Sequence, residues 1–198
     1  MVHDDTVNFY NNSADEYQRK LGTADTPCLK EFADFLKPGQ RVLDFGCGPG
    51  HCAAYFSSKG LSVDATDASA EMVKLAIAKG VSAQVASFDE TPTDVLYDAI
   101  WANFSLLHAR KTEFPRHLNT LRSISKPDAV LHLGMKIGAG DRVDQLGRYY
   151  SYYQTDELKD LLSIAGFDVF FTHHGSGPGM AGLDEPWVIL WARATQNA

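Results

Sequence analysis

Cysteine is scarce: the 198 residues hold three, Cys28, Cys47 and Cys52. So sparse and odd a set offers no disulfide framework and fits a reducing compartment, so an intracellular, cytoplasmic location is expected. Long apolar runs are missing as well, since nothing approaches the roughly 20 residues a bilayer crossing needs. The opening "MVHDDTVNFYNNS" has neither the basic nor the apolar region of a signal peptide. No membrane partner is expected. Basic residues number 18 against 25 acidic ones, for a formal charge of -7, and they are scattered along the chain. Nucleic-acid binders concentrate Lys and Arg to displace counterions, so no nucleic-acid partner is expected either.

What is present is enough apolar sequence, 44% of the chain, for one substantial core, so a single domain over residues 1–198 is expected. From Arg41 onward short β-branched or apolar runs alternate with amphipathic segments, the pattern of strands joined by crossover helices. "RVLDF", "LSVDAT", "VSAQVAS", "YDAIWANF" and "AVLHLGMKI" read as five strands. "HCAAYFSSKG", "SAEMVKLAIAKG" and "TEFPRHLNTLRSIS" read as helices between them, with Ser69 as a cap and Gly60 and Gly80 as stops. "TDELKDLLSIAGF", capped by Thr155, is a further helix, and "DVFFTHH" and "EPWVILWARA" follow as two successive strands. Adjacent strands without a crossover form an antiparallel hairpin. The expected fold is α/β: a Rossmann-like, doubly wound, seven-stranded sheet, mostly parallel, with an antiparallel C-terminal edge hairpin. Residues 1–40 precede the sheet as one or two helices, read as an N-terminal helical lid. Residues 138–154, "GAGDRVDQLGRYYSYYQ", form a long connection after the fifth strand, read as a substrate-side insertion. "HHGSGPGMAGLDEP" reads as an exposed, turn-rich loop.

The chemistry concentrates in "RVLDFGCGPGHC". Its glycines, Gly46, Gly48 and Gly50, lie where the first strand turns into the first crossover helix, the place where open α/β sheets bind ligands. A dinucleotide fingerprint needs its third glycine at position 51, which is His51 here, and no Gly-Lys-Ser/Thr follows to make a Walker loop. Asp44, two residues before Gly46, would repel a pyrophosphate and match a cation. Asp67, at the end of the second strand and 21 residues beyond Gly46, can accept both hydroxyls of a ribose. Acid, glycines and second acid together suggest S-adenosylmethionine as the cofactor. Cys47, His51 and Cys52 all fall within or just behind this loop, and no second ligand pair has zinc-like spacing, so no metal is expected.

"VLDFGCGPG", "DATDAS", "YDAIWANFSLLH" and "LLSIAGF" together resemble the class I S-adenosylmethionine-dependent methyltransferases, in particular the small stand-alone type acting on small molecules. The similarity runs from about Phe9 to the C-terminus, and the family fold has seven strands with the last inserted antiparallel. The resemblance implies that Gly46, Cys47, Gly48 and Gly50 line the methionine and ribose portion of the cofactor. It implies that Asp44 anchors the glycine loop, Asp67 takes the ribose hydroxyls, and Ala68 and Met72 flank the adenine. Where many relatives have an acid at the adenine edge this chain has Ser87, leaving Ser87, Phe88 or Asp89 for that contact. Asn103 would lie near the sulfonium, and Tyr17 would close over the cofactor from the N-terminal segment. Methyl transfer is an in-line displacement that mainly requires alignment in a dry site, so a general base is optional. His108, Lys136, Tyr10 and Tyr17 are the candidates for that role, and the sequence assigns none of them as catalytic. An unidentified small-molecule acceptor would meet Tyr10, His108, Lys136, Arg148, Tyr149 and Tyr150. A catalytically silent S-adenosylmethionine-binding regulatory module is the competing expectation. The chain has "NFSL" where base-amine methylators carry Asn-Pro-Pro-aromatic, which disfavours a nucleic-acid acceptor.

Overall fold

The computed structural model describes residues 4–21, 26–91, 93–182 and 184–195, so parts of the expected lid, residues 1–3 and 22–25, lie outside the described residues. Three helices come first: α1 (Asp4–Asn12), α2 (Ala14–Leu21) and α3 (Leu29–Phe35). Where one or two helices were expected before the sheet there are three, α1 and α2 being divided at Ser13, and Tyr10 and Tyr17 meet edge to face, 5.4 Å apart.

The alternation then follows as β1 (Arg41–Phe45), α4 (His51–Ser58), β2 (Ser62–Asp67), α5 (Ala70–Ala78), β3 (Ala83–Val85) and β4 (Tyr97–Asn103). A short 3-10 turn (Leu106–His108) leads to α6 (Phe114–Ser123) and β5 (Ser125–Lys136). Strand β1 is buried over residues 42–45 because both of its faces are covered, and Asp44 is the one charged side chain carried inside. At α5 the Ser69 hydroxyl accepts the Met72 N–H, and Gly80, at φ +82°, ends the element, as its sequence requires. Pro115 sits in the first turn of α6, where its missing N–H costs nothing.

The remaining elements are β6 (Asp141–Val143), β7 (Tyr149–Ser151), α7 (Thr155–Ile164), β8 (Phe167–Pro178) and β9 (Asp184–Ala194). Seven strands form one sheet in the order β3-β2-β1-β4-β5-β9-β8, with β9 antiparallel to both neighbours and β8 at the edge. The fold is therefore the Rossmann-like α/β arrangement expected.

Three local expectations are corrected. The 138–154 connection is not irregular: β6 and β7 pair in a separate two-stranded sheet. At α7 the N-cap is Gln154 rather than Thr155, and Gln154 donates its N–H to the Glu157 carboxylate three residues on. The glycine-rich stretch after His173 is not a loop but the continuation of β8 as far as Pro178. Gly175 has a packing cause, since a Cβ on it would stand 2.1 Å from the Trp187 indole that lies across it. Among the described residues no helix is long and apolar enough to cross a membrane.

Candidate functional site

Every strand-end loop of the first half of the sheet converges on the glycine loop. The Thr66 carbonyl accepts the N–H groups of both Gly46 and Cys47, and the Asp67 carboxylate takes Gly48 N–H and Ser69 N–H, each at 2.8 Å. Asp67 thus joins the loop to the start of α5, while Asp44 accepts the Ala53 N–H in the first turn of α4, behind the loop. Asp44 is buried, and its Oδ2 has no hydrogen-bond partner among the described residues. Burial first, then the neighbouring Asp67 charge, push its carboxyl up to about 8, with the Ala53 N–H pulling the other way.

The three glycines all have positive φ but serve different ends. A Cβ on Gly46 would stand 2.3 Å from Ser105 Cβ, and one on Gly50 would stand 2.6 Å from Ala76 Cβ. Those two let the loop pack against the rest of the fold. A Cβ on Gly48 would meet only the Tyr17 ring, at 3.8 Å, so this glycine is the one that leaves room for a ligand.

Three cavities adjoin here. An inner cavity of about 80 Å³ is lined by Gly46, Gly48, Asp67, Ala68, Met72, Phe88 and Asn103, with Thr6, Val7, Tyr10 and Tyr17 closing it from the N-terminal helices. A tail cavity of about 200 Å³ runs past Asp44, Cys47, His51, Asn103 and Thr26. An outer cavity of about 310 Å³ is walled by Tyr10, Tyr150, Phe104 and Trp187 and carries Lys20, Lys136, Arg148 and Glu185. Tyr10, Tyr17, Phe104 and His108 belong to both the inner and the outer cavity.

Helix α1 is held over the inner cavity by three clasps. The Thr6 hydroxyl accepts Tyr149 N–H at 2.9 Å, the Asn11 carbonyl accepts the Ser69 hydroxyl at 2.7 Å, and Tyr10 reaches His108 and Arg148. His108 donates Nδ1–H to the Tyr149 carbonyl at 2.6 Å, which leaves Nε2 to accept the Tyr10 hydroxyl at 2.9 Å. Burial, with Arg148 and Lys136 nearby, holds its imidazole down to about 3, and burial also pushes the Tyr10 phenol up. Arg148 is buried, pairs through two nitrogens with the Asp144 carboxylate, and stacks on Phe9, Tyr10 and Tyr150. Lys136 pairs with Glu185 and lies 4.0 Å over the Tyr150 ring.

Some expected site residues fall elsewhere. Gly50 lies outside all three cavities, against Ala76. Ser87 gives both its N–H and its hydroxyl to Glu90, and Asp89 pairs with Arg116, so of the three adenine-edge candidates only Phe88 lines the inner cavity. Tyr149 sends its hydroxyl to Asp141 while Tyr150 faces the outer cavity, because successive residues of β7 point to opposite sides. Cys47 and Cys52 are buried, free thiols pushed up by burial, and Cys52 contacts His51. Among the described residues no cluster of His, Cys, Asp and Glu is placed to hold a metal.

Phe104 was not anticipated as a site residue. It lines all three cavities and adopts φ +54°, a conformation that costs a non-glycine residue about 1–2 kcal/mol. Such backbone strain gathers at ligand clamps. Nothing about a phenylalanine announces a positive φ; the only cue was its place next to Asn103. Trp187 and Glu185 lie in the expected last strand, but nothing in the sequence says that this end of the strand borders the outer cavity.

Comparison with known proteins matches residues 17–170 to the family described as the methyltransferase domain. The malonyl-[acyl-carrier protein] O-methyltransferase of Erwinia billingiae is 31% identical over 102 residues, 49% of this chain and 40% of that one. The trans-aconitate 2-methyltransferase of Mycobacterium tuberculosis is 33% identical over 73 residues, 36% of this chain and 28% of that one. The chain thus spans less than half the length of these curated relatives. Among solved structures, the 1,6-didemethyltoxoflavin-N1-methyltransferase of Burkholderia thailandensis, bound to 1,6-didemethyltoxoflavin and S-adenosylhomocysteine, superposes with a TM-score of 0.75. It is 23% identical, over 97% of this chain and 88% of that one.

Proposed function

The chain belongs to the S-adenosylmethionine-dependent methyltransferases of the methyltransferase-domain family, and we propose that it methylates a small aromatic acceptor held in the outer cavity. The observation that carries this reading is the wall of Tyr10, Tyr17, Phe104 and His108 shared by the inner and outer cavities. A donor on one side and an acceptor on the other would face each other there.

The residues suit the cofactor. Asp44 brings an unpartnered, buried carboxylate oxygen to the tail cavity, which calls for a cation such as an α-ammonium group. Asp67 keeps lone pairs free for ribose hydroxyls beyond the two N–H groups it already holds, and Ala68, Met72 and Phe88 supply apolar walls for a base. When bound, S-adenosylmethionine supplies an electrophilic methyl on a sulfonium. The inner cavity, of about 80 Å³, is covered by Thr6, Val7 and Tyr10 of α1. Helix α1 is therefore the lid that must lift for a nucleoside to enter.

The protein's own part is alignment and exclusion of water. Tyr10 and Tyr17 seal the reaction site from above, and His108, neutral and committed to Tyr10, fixes the lid tyrosine rather than collecting a proton. The acceptor would then arrive with its nucleophilic atom already unprotonated. Lys20, Lys136 and Arg148 bring N–H donors to the outer wall, each beside a carboxylate, of Glu16, Glu185 and Asp144 respectively, and Tyr150, Phe104 and Trp187 give it flat faces. An aromatic ring with an anionic edge fits that lining.

Calorimetry with S-adenosylhomocysteine tests the cofactor site. Asp67→Ala removes both the ribose acceptor and the tie to Gly48, and is expected to weaken binding about 100-fold, since hydrogen bonds to a charged group contribute about 1.5–3 kcal/mol each. A parent protein that does not bind, or a variant that binds as well as the parent, defeats the assignment. Turnover across a panel of aromatic acids and phenols, followed as S-adenosylhomocysteine release, separates the enzyme from a silent binding module.

Asp44 predicts a proton linkage. Its folded-state pKa of about 8 means that the free protein carries this proton at neutral pH. An ammonium group set beside it lowers that pKa, so binding releases up to one proton below pH 8 and strengthens as pH rises toward 8. Binding heats at pH 7 should then differ between buffers of different ionisation enthalpy, and identical heats would contradict the pairing.

A further inference from the structure

Asn103 ends β4 between the inner and tail cavities, and its side chain has a hydrogen-bonded lineage running back through the sheet. Its Oδ1 lies 3.0 Å from His132 Nε2, and His132 Nδ1 lies 3.0 Å from Trp191 Nε1. His132 and Trp191 are directly paired across β5 and β9, while Trp101 faces His132 from β4. An indole nitrogen can only donate. Trp191 therefore forces His132 Nδ1 to be the bare, accepting nitrogen.

The imidazole is fully buried, and burial keeps it neutral, so its single proton sits on Nε2. That proton can only be given to an acceptor, which fixes the Asn103 carbonyl toward His132. The ring itself is clamped: it stacks on Trp101 at 3.5 Å and meets Phe32 edge-on at 5.6 Å. On the β5 side, Gly134 leaves the space the amide occupies, since a Cβ there would stand 2.8 Å from Asn103 Oδ1. With its oxygen committed, Asn103 has only its N–H groups to offer to the cavities.

The geometry points to Trp191 and His132 as a positioning pair that turns the Asn103 amide so that its N–H groups receive the carboxylate of the cofactor's amino-acid end. This rests on the methyltransferase reading. Asp44, with its unpartnered oxygen, lines the same tail cavity, so one cavity presents an acid that ionises beside an ammonium and an amide donor, the complement of an α-amino acid's ammonium and carboxylate. Neither His132 nor Trp191 lines any of the three cavities, so both act through Asn103.

The test compares affinities for S-adenosylhomocysteine and its decarboxylated analogue. The parent is expected to prefer the carboxylate-bearing ligand by about tenfold or more, and Asn103→Ala to lose that preference. Trp191→Phe keeps an aromatic ring but removes the donor, which frees the imidazole to change tautomer and the amide to flip. It is expected to lose most of the preference and to raise KM for S-adenosylmethionine while KM for the acceptor holds. His132→Gln, whose amide N–H can replace Nε2–H, is expected to retain it.

Nitrogen NMR of His132 gives a second readout: the Nε2–H tautomer in the parent and a shift away from it in Trp191→Phe. A parent carrying the Nδ1–H tautomer overturns the proposal, as does an unchanged preference in either Asn103→Ala or Trp191→Phe. A parent that binds neither ligand overturns the cofactor reading and this proposal with it.

Discussion

Gly50→Ala is expected to destabilise the protein by about 2–5 kcal/mol, the sum of a left-handed backbone at a non-glycine residue and an overpacked contact. The φ of +77° sets the first contribution, and the Ala76 Cβ and Cα, at 2.6 and 2.8 Å from the added carbon, set the second. Backbone cannot swing aside as a side-chain tip would. In a chain of this size such a loss lowers Tm by about 5–15 °C. Gly48→Ala should behave differently, because its Cβ meets only Tyr17 at 3.8 Å and carries the conformational cost of about 1–2 kcal/mol alone. It should fold and yet bind S-adenosylhomocysteine at least about tenfold more weakly, its methyl occupying cavity space. Thermal melts and calorimetry on the two variants check this division. Equal behaviour of the pair in both measurements would mean that the glycines are interchangeable and the argument from their neighbours is wrong.

Arg148→Ala is the second large effect expected. The guanidinium and Asp144 are both largely buried, so truncation strands a carboxylate away from water at a cost of about 3–5 kcal/mol. It also removes the cation that Phe9, Tyr10 and Tyr150 surround, and with it the link between α1 and β7. Limited proteolysis should cut within residues 4–21 much faster than in the parent, and added S-adenosylhomocysteine should slow the cleavage. Arg148→Lys should rescue little, because an ammonium cannot reproduce the two-nitrogen grip on Asp144. Parent-like melting and digestion of Arg148→Ala would show that α1 is held by its other clasps alone.

The sheet was legible in the sequence wherever burial on both faces left an apolar run, as at residues 99–102 of β4 and 129–131 of β5, and wherever a cap began a helix or a glycine ended one, as at Ser69 and Gly80. Legibility failed where a glycine served packing instead of turning. Gly175 reads as a turn residue in any window that does not include the Trp187 ring lying on it, so the last third of β8 was taken for a loop. It failed again where the answer was a register. Tyr149 and Tyr150 are chemically identical neighbours, and only the pairing of β7 with β6 decides which one faces the outer cavity. Both acids of the glycine motif were visible, but their division of work was not: Asp67 gives both its oxygens to backbone N–H groups, whereas Asp44 keeps Oδ2 without a partner among the described residues. Spacing alone says that two acids are present, not which of them is satisfied.

The sheet order also separates two kinds of change. Glycine loop, Asp44, Asp67 and Asn103 sit on β1, β2 and β4, whereas Lys136, Tyr150, Glu185 and Trp187 sit on or beyond β5. On the proposed reading, substitutions at Lys136, Tyr150, Glu185 and Trp187 reshape the acceptor cavity while leaving Asp44, Asp67 and the Trp191–His132–Asn103 chain in place. The tip of the β8–β9 hairpin, over residues 177–187, is therefore the natural place to retarget the protein.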